Sequence, residues 1–259
     1  MRRRNVVVSV LMLVLARTVL AQEIKVAAAA DLQFALQDIA ARFEKESGKT
    51  VRLSFGSSGN FFAQLQNGAP FDIFFSANLD YPRKLDTAGL VEPGSYYEYA
   101  TGKIVVWVPA DSKLDVNTGV RSLLNPVVKK IAIANPQHAP YGQAAVAALK
   151  KEGVYDKISE KLVLGENISQ TASFVASGAA DVGIVALSLA LGPNMKDKGR
   201  FKEVSSDDYA PIEQACVILK SSHAKGASQE FLQFVRRSET QEMLRAYGFG
   251  VPVQSEHAK

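Results

Sequence analysis

Residues 53–62 read L-S-F-G-S-S-G-N-F-F and contain the end of a strand, a turn and the start of a helix. The run 51–55 alternates apolar side chains, as a half-buried strand does, and two phenylalanines open the helical pattern that follows the turn. The turn itself, G-S-S-G-N at 56–60, consists of residues that cap helices and tolerate tight backbone angles. It is either an ordinary helix cap or a set of amide and hydroxyl donors that holds a hydrogen-bond acceptor.

The same order of strand, turn and helix recurs along the chain. Strand-like runs fall at 24–28, 51–55, 71–76, 104–108, 130–134, 161–164, 181–186 and 212–219, and helical patterns at 32–43, 61–67, 81–88, 143–152, 170–176, 228–237 and 240–246. This alternation is typical of α/β proteins with largely parallel sheets. We expect two lobes, each a mostly parallel sheet flanked by helices, with a ligand cleft between them. A single doubly wound sheet is the alternative.

The first 21 residues have the layout of a secretory signal peptide. Arg2, Arg3 and Arg4 precede an apolar run, and the small residue Ala21 ends the segment. The apolar run is short for a membrane span, so a retained anchor is the weaker interpretation. We assign residues 1–21 to a signal peptide, 22–102 to lobe 1, 103–205 to lobe 2, and 206–259 to a return into lobe 1. The protein is therefore expected in the periplasm.

The charge balance argues against a nucleic-acid partner. The chain has 30 Lys and Arg against 26 Asp and Glu, but four of the arginines and none of the acids lie in residues 1–21. The remainder is formally neutral, which removes the electrostatic basis for binding nucleic acid. The single cysteine, Cys216, lies in the apolar run I-E-Q-A-C-V-I-L and is expected to be a buried small hydrophobe.

The turns that follow the strands are rich in small neutral residues. They are A-A-A-A-D at 27–31, G-S-S-G-N at 56–60, S-A-N-L-D at 76–80, N-P-Q-H-A-P-Y-G at 135–142 and G-E-N-I-S at 165–169. In parallel sheets such turns meet at the carboxyl edge, where ligands bind. Each also opens a helix, whose first N–H groups attract anions. The pattern is compatible with an anion site and also with ordinary helix capping.

Catalytic motifs are weak by comparison. The chain has three histidines, His138, His223 and His257, of which only His138 lies in one of these turns. G-S-S-G does not match the G-x-S-x-G nucleophile elbow, and the sequence has no phosphate loop with Lys-Ser/Thr and no zinc-type ligand spacing. We therefore expect no enzyme and no cofactor. An exported hydrolase using Ser58 with His138 is the catalytic alternative, and a pure interaction module is another.

Several segments together resemble the periplasmic molybdate-binding proteins of ABC importers. They are V-A-A-A-A-D-L at 26–32, F-G-S-S-G at 55–59, N-G-A-P-F-D-I-F-F-S-A at 67–77, N-P-Q-H-A-P-Y-G at 135–142, D-V-G-I-V at 181–185 and R-A-Y-G-F at 245–249. The resemblance spans the chain beyond residue 21. It implies a two-lobed monomer that closes on molybdate, or on tungstate, and delivers the anion to a membrane permease.

The resemblance also implies the residues that hold the anion. They are Ala30 and Asp31 in the first turn, Ser58 with its neighbour Ser57 in the second, and the backbone amides of Tyr141 and Ile168. The family uses neutral donors only, so no residue is a direct metal ligand. This arrangement suits a dianion that carries no proton, because such a ligand only accepts hydrogen bonds.

Two positions depart from the family pattern. Asp31 stands where the family often has Ser or Thr, and a carboxylate facing a dianion would weaken binding. We expect the Asp31 side chain to turn away and cap the helix that starts at Leu32. The competing interpretation is that Asp31 accepts a proton from a protonated oxyanion such as hydrogen phosphate. The second departure is Ala186, where some members have a tyrosine; the Tyr141 hydroxyl or a water is the expected replacement donor.

Overall fold

The computed structural model describes residues 23–252, so the predicted signal peptide lies outside the described residues. The strands are β1 Glu23–Ala29, β2 Thr50–Gly56, β3 Ile73–Ser76, β4 Tyr97–Gly102, β5 Ile104–Pro109, β6 Ile131–Ala134, β7 Leu162–Gly165, β8 Val182–Ala186, β9 Gly199–Glu203 and β10 Ile212–Ile218. They form two five-stranded sheets, ordered β2-β1-β3-β10-β4 and β7-β6-β8-β5-β9. The alternative of a single doubly wound sheet is therefore wrong.

The two sheets have the same internal pattern. In the first, β2, β1 and β3 are parallel and β10 is antiparallel to both of its neighbours. In the second, β7, β6 and β8 are parallel and β5 is antiparallel to both of its neighbours. Four strands of each sheet thus run in one direction and one is reversed. The expectation of two mostly parallel sheets is confirmed.

Helices flank both sheets. The α-helices are α1 Gln33–Ser47, α2 Ser58–Gln66, α3 Asp80–Thr87, α4 Pro140–Lys151, α5 Tyr155–Ile158, α6 Ile168–Ala176, α7 Leu187–Ala190, α8 Lys225–Arg236 and α9 Ser238–Ala246. Four 3₁₀ turns accompany them, at Ala30–Leu32, Gly119–Leu124, Ser159–Lys161 and Ser206–Asp208. We call the first sheet with α1–α3, α8 and α9 the first lobe, and the second sheet with α4–α7 the second lobe.

Both faces of each sheet are buried, as parallel strands require. On β1, Ile24 and Val26 belong to the cluster under α1 and α8, whereas Ala27 packs with Phe61 of α2 on the opposite face. Cys216 of β10 is fully buried in the first of these clusters, as expected from its apolar run. In the second sheet β5, I-V-V-W-V-P, is buried along almost its whole length.

The chain passes from the first sheet to the second between Gly102 and Ile104 and returns between Glu203 and Ile212. The lobe boundaries 22–102, 103–205 and 206–259 stay a prediction. Strands β1, β2, β3, β6 and β7 end at the five turns singled out in the sequence. This topology places the turns after β1, β2, β6 and β7 at the carboxyl edges, where the two lobes meet.

Candidate anion site between the lobes

The five residues expected at the anion site are all buried where the lobes meet, and none is more than 3% exposed. Ala30, Tyr141 and Ile168 belong to one hydrophobic cluster that also contains Ala77. Ser58 joins this cluster through a hydrogen bond from the Ala77 N–H to its Oγ at 2.9 Å. Side-chain hydrogen bonds join these turns across the lobes, from Tyr141 to Asp31 and from Asn60, in the turn of Ser58, to Glu166, in the turn of Ile168.

Ser58 is bonded in a way that leaves its proton available. A serine hydroxyl has one proton to donate and can accept two hydrogen bonds. Because Oγ accepts from the buried Ala77 N–H, one lone pair is occupied and the O–H can donate elsewhere. The side chain is 1% exposed, so a donor fixed in this way has little contact with bulk water. It is suited to a ligand that accepts hydrogen bonds.

Two backbone amides of the second lobe lie in the first turns of helices. Tyr141 follows Pro140 at the start of α4, and Ile168 is the first residue of α6. N–H groups in a first turn have no partner within the helix and carry the positive end of its dipole. The Asn167 side chain caps α6 by accepting from the amides of Ser169 and Gln170, both at 3.0 Å. This cap does not use the Ile168 N–H.

The side chain of Asp31 is not a helix cap, so that expectation is wrong. Asp31 lies inside the 3₁₀ turn Ala30–Leu32, and neither this turn nor α1 has a side-chain cap. Its Oδ2 instead accepts from the Tyr141 hydroxyl at 2.8 Å and from Gln214 Nε2 at 2.7 Å. The other oxygen, Oδ1, is buried with no hydrogen-bond partner within the described residues.

The environment of Asp31 favours its protonated form. Burial raises the pKa of this carboxyl to about 6, although the hydrogen bonds from Gln214 and Tyr141, and then the backbone N–H groups of Asp31 and Leu32, act in the opposite direction. Burial, and then the neighbouring Asp31 charge, also raise the pKa of Tyr99 and Tyr141 well above the usual range. Both phenols therefore remain neutral donors at physiological pH. A carboxyl with a pKa near 6 changes its charge within the range that cells and buffers cover.

A second set of contacts closes the rim of the cleft. We call it the rim contact: Ser57, Gly59 and Asn60 of the first lobe with His138 and Glu166 of the second. Ser57 Oγ lies 2.9 Å from His138 Nδ1, and the Gly59 N–H donates to the His138 carbonyl at 2.9 Å. The Asn60 side chain donates to Glu166, whose other carboxylate oxygen lies 3.7 Å from His138 Nε2. These bonds exist only when the lobes are together.

The hydrogen bonds of the rim contact contradict the catalytic alternative. That alternative paired Ser58 with His138, but His138 bonds to Ser57, while Ser58 bonds to Ala77. Ser57 also accepts from the Asn60 N–H at 3.4 Å and caps α2. The pairing of Ser58 with His138 is therefore wrong.

Three further residues at this site were missed from the sequence. Gln214 of β10 binds Asp31 and accepts from the Tyr99 hydroxyl at 2.7 Å, and the Ser188 hydroxyl donates to the Asp31 carbonyl at 2.8 Å. A glutamine inside the apolar run of β10 was the one sequence feature that could have indicated a buried polar network. The Tyr141 hydroxyl donates to Asp31, so it does not replace the donor expected near Ala186.

The chemistry of the assembled groups suits an anion better than a cation. Among residues 23–252 no group of three or more His, Cys, Asp or Glu side chains could hold a metal ion. Amides, a hydroxyl and helix N-termini are the donors that bind phosphate-like and sulfate-like ligands in other proteins.

The described part of the chain contains no helix long and apolar enough to cross a membrane.

Comparison with known proteins agrees with this architecture. Residues 24–250 match the family model described as bacterial extracellular solute-binding protein. The molybdate-binding protein ModA of Azotobacter vinelandii is 39% identical over 231 residues, which is 89% of this chain and 91% of that protein. The ModA protein of Rhodobacter capsulatus is 39% identical over 229 residues, 88% of each chain.

A solved structure gives the same result in three dimensions. The periplasmic molybdate-binding protein of Azotobacter vinelandii superimposes with a TM-score of 0.84 at 37% sequence identity, covering 89% of this chain and all of that one. Sequence and fold thus agree over the same two lobes. This chain belongs to the bacterial extracellular solute-binding protein family.

Proposed function

We propose that this protein binds molybdate in the cleft between its lobes and delivers it to the permease of an ABC importer. The observation that supports the proposal is the donor set: the Ser58 hydroxyl and the first-turn amides of α4 and α6 belong to residues that are buried at the junction of the lobes. The 39% identity to two molybdate-binding relatives supports the choice of ligand.

The ligand-binding residues in this proposal are Ala30, Asp31, Ser58, Tyr141 and Ile168. Molybdate is a tetrahedral dianion and only accepts hydrogen bonds, so donor groups without acceptors select for it. Tungstate has the same shape and charge and should bind in the same way. Sulfate has the same charge but is smaller, so cavity size, rather than charge, should discriminate between the two anions.

Binding and transport are linked through closure of the lobes. The rim contact and the bond from Tyr141 to Asp31 join the lobes, and both are lost if the lobes separate. A ligand that contacts both lobes shifts the population toward the closed form. The permease would recognise this closed monomer outside the cytoplasm, after removal of the predicted signal peptide. The protein itself would perform no turnover.

The test is a thermal-unfolding screen of the ligand-free protein with molybdate, tungstate, sulfate and phosphate. A ligand at a hundred times its Kd stabilises the folded state by about 2.7 kcal/mol. We expect molybdate and tungstate to raise the Tm and sulfate and phosphate to leave it unchanged. A shift with phosphate alone would contradict the proposal.

One observation favours a second candidate, a protein that binds a protonated oxyanion such as hydrogen phosphate. The buried Oδ1 of Asp31 has no partner among residues 23–252 and could accept a hydrogen bond from the ligand. A fully deprotonated dianion has no hydrogen to offer it. The same screen separates the two candidates, because only the second predicts stabilisation by phosphate.

A further inference from the structure

Asp31 raises a chemical problem for the proposed dianion. Its carboxyl is 1% exposed and lies in the 3₁₀ turn whose amides are expected to face the ligand. If it were ionised, a negative charge would lie in the same buried site as a dianion, where repulsion is weakly screened. The different surroundings of its two carboxyl oxygens indicate how the protein avoids this repulsion.

The two carboxyl oxygens have different surroundings, which match the two oxygens of a protonated carboxylic acid. Oδ2 accepts two hydrogen bonds, from Tyr141 at 2.8 Å and Gln214 at 2.7 Å, as a carbonyl oxygen does. Oδ1 is buried and the described part of the protein gives it no partner. A hydroxyl at Oδ1 needs an acceptor. The described part of the protein does not supply this acceptor, and a ligand oxygen is the acceptor that the proposed site offers.

We propose that Asp31 binds the anion in its protonated form, donating from Oδ1 to a ligand oxygen, so that the ionised protein takes up one proton with each dianion. The inference rests on the proposed function. The proton comes from solvent and stays on Asp31 while the ligand is bound. Asp31 thereby serves as a neutral donor, in keeping with the other groups of the site.

The groups in contact with Asp31 are neutral, so Asp31 is the group of this site that titrates. Tyr141 of α4 and Tyr99 of β4 are neutral phenols, and Gln214 of β10 and Ser188 of α7 do not titrate. Neither α6 nor α7 contains a charged residue. The charged residues on the other packed elements are Glu23 and Lys25 of β1, Arg52 of β2, Asp38, Arg42, Glu44, Lys45 and Glu46 of α1, Glu98 of β4, Lys150 and Lys151 of α4, and Glu213 of β10.

The charged residues on these elements are exposed or have partners of their own. Glu23 pairs with Arg52, Glu98 with Arg83, and the Asp38 carboxylate accepts from Tyr247. At the rim, His138 and Glu166 face each other and Ser57, and they are the other titratable pair near the cleft. His138 is therefore the alternative destination for a proton and needs its own variant in the test.

The proposal predicts a definite dependence on pH. Burial places the pKa of Asp31 at about 6 in the free protein, so below this pH the carboxyl is already protonated and binding takes up no proton. Above it, each dianion brings one proton, and the affinity falls about tenfold per pH unit. The Asp31→Asn variant carries an amide that donates in the same place without titrating, so its affinity should not change with pH.

The experiment is calorimetric titration with sodium molybdate at pH 7.5 in HEPES and in Tris, whose heats of ionisation differ, followed by Kd measurements from pH 6 to 8.5. We expect uptake of about one proton and a Kd that rises about tenfold per unit above pH 7. Asp31→Asn should bind molybdate with no proton uptake and a constant Kd. His138→Gln should keep the uptake of one proton.

The outcomes separate the inference from the proposed function. Molybdate binding by the wild type without proton uptake and with a constant Kd would overturn the inference and leave the function standing. Uptake that persists in Asp31→Asn and disappears in His138→Gln would also overturn it. Loss of molybdate binding in Asp31→Asn, with phosphate bound tightly by the wild type, would assign Asp31 as an acceptor. No molybdate binding even at pH 6 would overturn both.

Discussion

In the proposed site Ser58 provides one hydroxyl donor, so the effect of removing this hydroxyl should be measurable. In Ser58→Ala the anion loses a hydroxyl donor, and a hydrogen bond to a charged group contributes about 1.5–3 kcal/mol. We expect the Kd for molybdate to rise roughly 10- to 100-fold, as measured by calorimetry. The variant should also be less stable without ligand, because the buried Ala77 N–H loses its acceptor.

The matched control for this variant is Ser54→Ala. Ser54 is an exposed serine on β2, the strand that leads into the same turn, so its hydroxyl can be removed without touching the cleft. Its Kd should equal that of the wild type. If Ser58→Ala bound molybdate as tightly as this control, Ser58 would not belong to the site.

Asp31 should also affect stability in the absence of ligand. Its pKa is raised from 3.8 to about 6 by burial, so in this window the folded state binds more protons than the unfolded state. Stability therefore decreases as pH rises from about 4 to 6 and is constant above, and two pKa units correspond to a loss of about 3 kcal/mol. Other carboxyls contribute to the wild-type profile, but they cancel in the difference between wild type and Asp31→Asn.

The measurement is urea unfolding of both ligand-free proteins at pH 4, 5, 6 and 7. The wild type should lose stability relative to Asp31→Asn across this range, by up to about 3 kcal/mol. A difference that is independent of pH would mean that Asp31 has an ordinary pKa in the folded protein.

Among the elements, α2 depends on a glycine for its contact with the opposite lobe. A Cβ on Gly59 would lie 2.7 Å from the His138 carbonyl oxygen, which also accepts the Gly59 N–H. Gly59→Ala should therefore prevent the rim contact from closing, although alanine itself favours a helix by about 1 kcal/mol. Overpacking of this size costs about 1–3 kcal/mol, so we expect the Kd for molybdate to rise roughly 5- to 100-fold.

The control for the helix effect is Gly226→Ala in α8, where a Cβ would meet no atom within 4 Å. This variant should be more stable and bind molybdate as the wild type does. Calorimetry and thermal unfolding on both variants separate the two effects. An unchanged Kd in Gly59→Ala would show that the rim contact does not contribute to ligand binding.

Most elements could be predicted from the sequence, but strands β4 and β9 and the short helices α5 and α7 were missed. Helix α1 was predicted by its apolar stripe, and a left-handed glycine, Gly48 with φ of 70°, ends it. Strand β9 was missed because nearly all of it is exposed and it shows no apolar pattern. Helix α4 starts at Pro140, three residues before its predicted start, because proline is tolerated in a first turn.

For the molecule as a whole, the sequence predicted the two lobes and the turns at the site, but not the direction of the Asp31 side chain. The turn residues were readable because capping and tight turns select Gly, Ser and Asn locally. The partners of Asp31, Tyr141 and Gln214, lie 110 and 183 positions further along the chain. Only the assembled lobes bring them together, so no local pattern could show that the carboxyl bridges the lobes.

The central claim is that a closed pair of lobes binds molybdate through neutral donors, and calorimetry on the ligand-stripped protein at pH 6.5 tests it most directly. The account predicts one molybdate per monomer, bound tightly, with no heat from sulfate or phosphate under the same conditions. Binding of phosphate in place of molybdate, or no heat from any of the three anions, would contradict it.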